Sequence, residues 1–343
     1  MIATATNLDY LATRLHARRS RMAEAERLDA LCAVHTLPEL SRAVQMETEY
    51  ESPARFQRRL VQDLVRELVS CIPHVGGAGG GLLAWLPVRF QVENTKTLLR
   101  GFVNQTAPDA LQEHLVTLPE GPALDVKGLA AAKTLESFVG LLPPGRPRQY
   151  LSEAVARHRD QPQPFYLEAA LDCGYFRDLL ARTFRLSGED QVVARPLALH
   201  ETNFFLFMLV ARGRFHFNVS ADALLALALP EICEDWFRKL LTVPDLLGAA
   251  KVGVGIVFDE LPTEQSTDEA ALEGLAWKRF WRLAHDTYRR DHMGLGAVLG
   301  YVALRRIETA NLITISEGIR SGMVPAAIRA RLTPLKELEV AHV

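Results

Sequence analysis

The sequence predicts an all-α protein made of three helical repeats, and three observations support this fold class. Asparagines recur at intervals of 109 and 108 residues, each within an apolar stripe of helical spacing: Asn94, Asn203 and Asn311. A second amphipathic segment follows each stripe and ends at a proline, which cannot continue a helix: Pro119, Pro230 and Pro334. The length of 343 residues also exceeds what one hydrophobic core usually supports. We therefore expect helical domains at 1–118, 119–235 and 236–335, followed by a C-terminal tail at 336–343.

The first domain reads as helices interrupted by one glycine-rich segment. Near the N-terminus, apolar residues occupy one helix face and three arginines recur on another: Arg14, Arg18 and Arg21. Further on, leucines at i+4 intervals after Phe56 predict a helix with one buried face. The glycine run at 76–81 should break this helix and form a flexible linker. The first asparagine helix is then expected to begin after Pro87.

The second and third domains follow the same plan. Residues 141–147 (LLPPGRP) can form only a turn or loop, and the second asparagine helix is expected to begin after Pro196. No proline occurs from 263 to 324, which leaves room for long helices, and Ser266 with Glu269 matches a capping box. The runs at 192–197 and 252–258 resemble strands, but neither has a partner strand nearby. An all-helical fold is the better prediction.

Composition and charge narrow the classes of function. A net charge of −2 and a pI near 6.6 give no basic excess, so we expect no nucleic-acid partner. The four cysteines form no CxxC pair and predict neither a disulfide framework nor a zinc site. The N-terminus lacks a signal-peptide core, and the most apolar run, 204–211, is too short to span a bilayer. We expect a cytoplasmic protein whose membrane contact is peripheral.

No catalytic, cofactor or metal site is predicted. The glycine run lacks the Lys and Ser/Thr of a phosphate-binding loop, and His200-Glu201 is not followed by the histidine that a zinc-protease helix needs at position 204. We interpret the repeated asparagines as structural, binding backbone groups where helices cross, because a buried amide must be hydrogen-bonded. The face of Arg14, Arg18 and Arg21 is either a solvated helix side or a docking surface for an acidic partner.

Several segments resemble one known family, in the family's order and over roughly residues 10–335. They are YLATRLHARRSRM (10–22), METEY (46–50), ENTKTLLRG (93–101), LEAALDCGYFRDLL (167–180) and ALRRIETANLITISEGIRSG (303–322). Together they are similar to the family of C and d subunits of vacuolar-type (V-type) and archaeal-type (A-type) rotary ATPases. Each motif alone is short, and their order and threefold spacing make the resemblance specific.

The resemblance implies a non-enzymatic rotor part. In that family three pseudo-symmetric helical domains form a funnel around a threefold axis. One copy per complex receives the tip of the central shaft in its wide mouth, and its other end sits on the membrane proteolipid ring. It thereby couples ATP hydrolysis or synthesis to H⁺ or Na⁺ transport.

Under threefold symmetry, four arginines near the far ends of the asparagine helices should cluster around the axis as candidate partner contacts: Arg100, Arg212, Arg214 and Arg320. Two alternatives stay open. One is a helical-repeat protein-binding scaffold unrelated to rotary ATPases, and the other is a soluble enzyme that uses the glycine-rich loop.

Overall fold

The computed structural model describes residues 7–119, 124–158, 163–227, 235–262 and 268–333. Within these ranges the only β-structure is an isolated bridge between Val254 and Phe258, so the all-α prediction is confirmed. The predicted tail, 336–343, lies outside the described residues. The helices are α1 (Leu8–Arg19), α2 (Ala25–Cys32), α3 (Leu37–Ala43), α4 (Pro53–Cys71), α5 (Gly77–Leu83), α6 (Val88–Val103), α7 (Pro108–His114), α8 (Val126–Ala130), α9 (Leu135–Leu141), α10 (Arg146–Arg157), α11 (Pro164–Thr183), α12 (Gly188–Phe215), α13 (Ala221–Leu227), α14 (Asp235–Leu240), α15 (Leu246–Gly253), α16 (Glu269–Arg290), α17 (Leu295–Arg320) and α18 (Pro325–Arg329).

Helix α17 lies at the centre of the molecule. It packs against α1, α3, α4, α12, α16 and α18, and most of its side chains are buried. It runs antiparallel to α16 at very short range: a Cβ at Gly300 would lie 2.7 Å from the backbone nitrogen of Tyr288 and 2.8 Å from the carbonyl oxygen of Ala284. Glycine at this position therefore allows the two long helices to touch backbone to backbone.

Three long helices, α6, α12 and α17, end in the same way. Each carries a glycine whose carbonyl accepts a hydrogen bond from an amide just beyond the helix end: Gly101 from Thr106 (2.8 Å), Gly213 from Val219 (2.7 Å) and Gly318 from Met323 (2.9 Å). A residue with positive φ reverses each chain: Gln105, Asn218 and Gly322. The short helix that follows packs an aliphatic side chain onto the glycine: Leu111, Leu224 and Ile328. The chain thus contains three helix pairs of one design, α6–α7, α12–α13 and α17–α18.

The apolar cores extend across the predicted domains. One cluster of buried side chains runs from Leu11 to Ile307 and includes residues of all three. A second cluster joins residues between 23 and 60 with residues between 312 and 332, so the N-terminal helices pack on the C-terminal helix pair. The boundaries at 118 and 235 do not separate these two cores, and the division into three domains stays a prediction.

The prediction of a flexible linker at residues 76–81 is wrong, because most of this run forms helix α5. Gly79 and Gly80 are buried in it, and a Cβ at Gly80 would collide with the carbonyl oxygen of Val75. The glycines allow α5 to pack tightly, and the buried Leu82 and Leu83 supply the apolar contact that holds it.

Two predicted helix starts are also wrong. Helix α12 begins at Gly188 and continues through Pro196. The proline leaves the carbonyl of Val192 without a helical donor, but both residues are exposed, so water can satisfy that carbonyl. Helix α16 begins one residue after Asp268, whose side chain accepts from the amide of Ala271. Ser266, the predicted capping residue, lies outside the described ranges.

Candidate partner-binding cavity

A cavity opens between α6, α11, α12 and α16. Its outer part has a volume of about 560 Å³ and is lined by Arg100, Phe165, Glu168, Phe205, Met208 and Arg212, among others. An adjoining inner part of about 280 Å³ is lined by Arg89, Lys96, Glu201, Trp277 and Arg306, and it shares Asp172 and Phe205 with the outer part. Next to Arg89 and Arg306 lies a further space of only about 20 Å³. The volumes thus decrease from the outer part toward Arg89 and Arg306, and we call that end the cavity floor.

Ion pairs join α6 to α11 along one wall of this cavity. Lys96, which is 6% exposed, lies 3.1 Å from both carboxylate oxygens of Asp172, and Arg89 lies 2.8 Å from the same carboxylate. Arg100 binds Glu168 in a two-pronged contact nearer the opening. Burial opposes the charge on Arg89, but Asp172 and Glu93 outweigh it and raise the pKa of the guanidinium. The wall is therefore charged and fixed.

Three charged residues converge at the inner part of the cavity from equivalent positions on three helices. Arg89, Glu201 and Arg306 stand twelve residues before the packing glycines of α6, α12 and α17, and all three line the inner cavity. A nitrogen of Arg306 lies 2.8 Å from an oxygen of Glu201. We call these three residues the central triad. Their convergence gives the register in which the three helix pairs correspond.

In that register Asn94 and Asn311 occupy equivalent positions, and Asn203 does not. Asn94 and Asn311 both stand seven residues before the glycine, both are 3% exposed, and both bind backbone 22 residues later in the chain. The Asn94 amide donates to the carbonyl of Val116 (2.8 Å) and accepts from its N–H (2.9 Å), and Asn311 accepts from the N–H of Thr333 (3.0 Å).

The corresponding position in α12 is occupied by Leu206, which is fully buried. Asn203 lies three residues earlier and is only half-buried, and its Oδ1 has no hydrogen-bond partner among the described residues. The prediction that all three asparagines are buried and bonded is therefore wrong at Asn203. The even spacing of 109 and 108 residues does not reflect structural equivalence at this position.

Comparisons with known proteins identify the family of this chain. A family model described as ATP synthase (C/AC39) subunit matches residues 11–331. The chain belongs to this family. It is also 21% identical, over 351 aligned positions, to the C subunit of the A-type ATP synthase of Methanocaldococcus jannaschii, in an alignment that covers 95% of this chain and 86% of the relative. The family resemblance predicted from the motifs is confirmed, and two of those motifs, 93–101 and 167–180, supply the ion-paired wall of α6 and α11.

The predicted arginine face of α1 is mostly occupied by contacts inside this C/AC39-family chain. Arg14 donates to Ser70 at the end of α4 (3.1 Å to Oγ), and Arg18 lies 3.3 Å from Glu67 of the same helix. Arg21 is exposed, and its guanidinium has no acidic partner within the described part of the chain. Two of the three arginines thus fasten α1 to α4, which leaves Arg21 as the member free to meet a partner.

The structure brings together two of the four arginines proposed to cluster around an axis. Arg100 and Arg212 line the outer cavity, each standing one residue before a packing glycine. Arg214 instead donates to the carbonyl of Val243 (2.6 Å), and Arg320 pairs with Glu317 (2.7 Å) at the end of α17. Sequence reasoning missed the central triad, Lys96 and the aromatic lining of the cavity. Registering the repeats on the glycines would have found the triad.

His200 is the buried titratable group of the inner cavity. Its Nε2 donates to the carbonyl of Ala276 (3.0 Å), and its ring stacks on Phe280 with centroids 5.8 Å apart. Burial, with a smaller effect from Arg279, lowers the pKa of His200 to about 4. The ring is therefore neutral near pH 7 and works as a packing element with one fixed hydrogen bond.

Three further properties of the described residues concern metal binding, membrane spanning and free thiols. No group of three or more His, Cys, Asp or Glu side chains there is arranged to hold a metal ion, and none of those helices is long and apolar enough to cross a membrane. Cys32, Cys71 and Cys173 are buried free thiols, and Cys233 lies outside the described ranges.

Proposed function

We propose that this chain is the non-catalytic central-stalk adaptor of a rotary A/V-type ATP synthase. It would join the rotor shaft of the ATP-hydrolysing head to the membrane proteolipid ring, in one copy per complex, and so couple rotation to H⁺ or Na⁺ transport. Membership of the ATP synthase (C/AC39) family supports a place in such a complex. The adaptor role depends on one observation, the tapering cavity between the long helices.

The cavity has the chemistry of a protein-binding site. Phe205 and Trp277 are only partly buried in its wall, which also contains Met208. Ion-paired side chains line the same cavity. Aromatic and methionine side chains are enriched at the centre of protein interfaces, and fixed charges add orientation. Because the walls are helices, binding a partner should cost little backbone conformational entropy. We propose that the tip of the shaft enters the outer cavity, between Arg100 and Arg212.

The three helix pairs support a pseudo-threefold arrangement around this cavity. The pairs share a turn, a glycine contact and a triad position, and the three triad residues all line the inner cavity. We propose that they are the kernels of three related domains arranged as a funnel. An adaptor of this kind suits a stalk, because it presents similar surfaces in three directions to a ring of identical subunits.

The two alternatives have less support. An unrelated helical-repeat scaffold is disfavoured by the family match, which extends over nearly the whole chain. An enzyme that uses the glycine run would need exposed backbone amides, but Gly79 and Gly80 are buried inside α5 against Leu295 and Val75. That run is an element of packing.

The proposal can be tested by measuring binding of the purified chain to the shaft subunits and, separately, to the detergent-solubilised proteolipid ring of its own organism. The wild-type chain should bind both. Phe205→Ser should weaken shaft binding by at least about tenfold and leave ring binding unchanged, since an apolar anchor typically contributes about 1–3 kcal/mol. Phe184→Ser removes an exposed phenylalanine that does not line the cavity and is the matched control. A wild-type chain that binds neither partner would refute the adaptor role.

A further inference from the structure

We propose that the central triad is an ionic lock, in which the Arg306–Glu201 pair fixes the rotation of α17 relative to α12 and Arg89 fixes that of α6 relative to α11. Through this lock Arg89, Glu201 and Arg306 act as positioning residues for torque transmission, a second step that rests on the proposed function. The lock itself concerns the isolated chain and can be tested without the complex.

Each member of the triad is tied to a helix other than its own. Arg306 of α17 pairs with Glu201 of α12 (2.8 Å), and its guanidinium lies over the ring of Phe280 on α16, 5.3 Å from the centroid. Arg89 of α6 pairs with Asp172 of α11 (2.8 Å) and lies 5.6 Å from the ring centroid of Tyr175 on the same helix. Arg306 thereby links α17 to α12 and α16, and Arg89 separately links α6 to α11.

The charges around the triad balance only when all of them are present. Alone, the triad has two cations and one anion. Asp172 and Glu93 add two negative charges and Lys96 adds one positive charge, which gives three of each sign. The three triad side chains are between 18% and 29% exposed, so water screens them less than surface pairs. Loss of one charge leaves its partner uncompensated in a poorly solvated site.

The ionic character is itself the argument for a locking role. Apolar side chains could fill the same space and stabilise the fold as well or better, but they would accept several relative rotations of the helices. Opposite charges at equivalent positions specify which helix faces which. A shift of α17 by one helical turn, about 5.4 Å, would separate Arg306 from Glu201. The Arg306–Glu201 pair therefore makes one arrangement of α12 and α17 much more favourable than its neighbours.

The test on the isolated chain compares single, double and permuted variants. Glu201→Gln and Arg306→Met should each lower the unfolding midpoint and speed amide exchange in α12 and α17 near the cavity floor by about tenfold. The permuted variant, Glu201→Arg with Arg306→Glu, keeps two cations and one anion and should recover most of the loss. Should that variant fail to fold, the double variant Glu201→Gln/Arg306→Met should lose less than the sum of the two singles.

The control is Glu113→Gln, which breaks the exposed pair of Arg55 and Glu113, with side chains 63% and 48% exposed. It should leave amide exchange at the cavity floor unchanged. Additive losses in the double variant, or single variants that behave like this control, would overturn the lock.

The positioning step is tested in the assembled synthase. In complexes that contain Glu201→Gln, the number of ions moved per ATP hydrolysed should be lower than in the wild type, and the permuted variant should recover the ratio; shaft binding of each variant is measured alongside. If Glu201→Gln moves as many ions per ATP as the wild type, the positioning step is refuted. If the ratio falls only in proportion to a loss of shaft binding, the triad is a docking site instead. If the wild-type chain does not enter the complex, the proposed function fails, whereas amide exchange in the isolated chain still decides the lock.

Discussion

At the scale of single residues, the asparagines differ in what they bind, and the structure predicts a graded response to their replacement. Asn94→Leu should destabilise the protein by about 1–3 kcal/mol, because both backbone groups of Val116 lose their partner. Asn311→Leu should cost less, since one hydrogen bond to Thr333 is lost. Asn203→Leu is the matched control and should be nearly neutral. Denaturant titration measures all three, and equal losses at the three positions would contradict this order.

The buried ring of His200 predicts a dependence of stability on pH. Its pKa of about 4 in the folded protein lies below the value of about 6.5 for an exposed histidine. The unfolded chain therefore takes up the proton first as the pH falls. The contribution of His200 is complete above about pH 6.5 and decreases by about 3 kcal/mol as the pH falls to about 4.

The variant His200→Gln can still donate to the carbonyl of Ala276 but does not titrate. Its free energy of unfolding should therefore fall less steeply between about pH 6.5 and about pH 4 than that of the wild type. Urea titrations at several pH values give the two slopes. Identical slopes would show that His200 is not buried as a neutral ring.

The residues also show how far the sequence could predict the site. The apolar stripes around Asn94 and Asn311 were sufficient to place both in buried helix contacts. The middle repeat could not be registered in this way, because Asn203 happens to lie at an even spacing while Leu206 occupies the equivalent position. Glycines mark the register more faithfully. A glycine that contacts a packed helix cannot be replaced by a larger residue unless the neighbouring helix moves. A hydrogen-bonded asparagine, in contrast, can be replaced by an apolar residue such as leucine.

At the scale of elements, the contact of α16 with α17 predicts opposite effects for two glycine substitutions. Gly300→Ala should destabilise by about 1–3 kcal/mol, because the new methyl group meets backbone atoms of Tyr288 and Ala284 that cannot rotate away. Gly274→Ala is the matched control on α16. No atom lies within 4 Å of the added Cβ, so it should stabilise by about 0.5–1 kcal/mol through helix propensity. Thermal unfolding would contradict this account if both substitutions changed stability in the same direction.

The helices that the sequence predicted best are those whose signals are local. The proline-free segment gave α16 and α17. The turn predicted at 141–147 does separate α9 from α10 but is shorter, covering 142–145, because Leu141 ends α9 and Arg146 and Pro147 begin α10. Helix α5 could not be predicted, because the glycines that crowd residues 76–81 have low helix propensity and the tertiary contacts with Val75 and Leu295 decide its fold. The start of α12 was predicted wrongly at Pro196 for a related reason. The free-energy cost of a proline within a helix depends on whether the carbonyl that loses its donor can bind water, and this depends on the folded surface.

At the scale of the whole molecule, the N-terminal helices are joined to the C-terminal helix pair. The cluster that contains Leu28 and Cys32 of the N-terminal helices also contains Leu312 of α17 and Ile328 of α18. Arg329 of α18 pairs with Asp29 of α2. A linear series of three repeats would leave its first and last members unlinked. This contact instead links the N-terminal helices to the C-terminal helix pair.

This contact predicts that a destabilising substitution in the C-terminal helix pair also loosens the packing of the N-terminal helix α2. Ile328→Ala removes the side chain that packs on Gly318 and should cost about 2–4 kcal/mol, and it should also expose Cys32, a buried thiol of the same cluster. Leu111→Ala is the matched control, because Leu111 packs on Gly101 in the equivalent way but α7 packs against α4, α6 and α8 rather than α2. Labelling with a thiol reagent, followed by peptide mapping, should show faster reaction of Cys32 only in Ile328→Ala. Equal labelling in the two variants would mean that Cys32 is exposed by global unfolding and that α2 and α18 do not open as one unit.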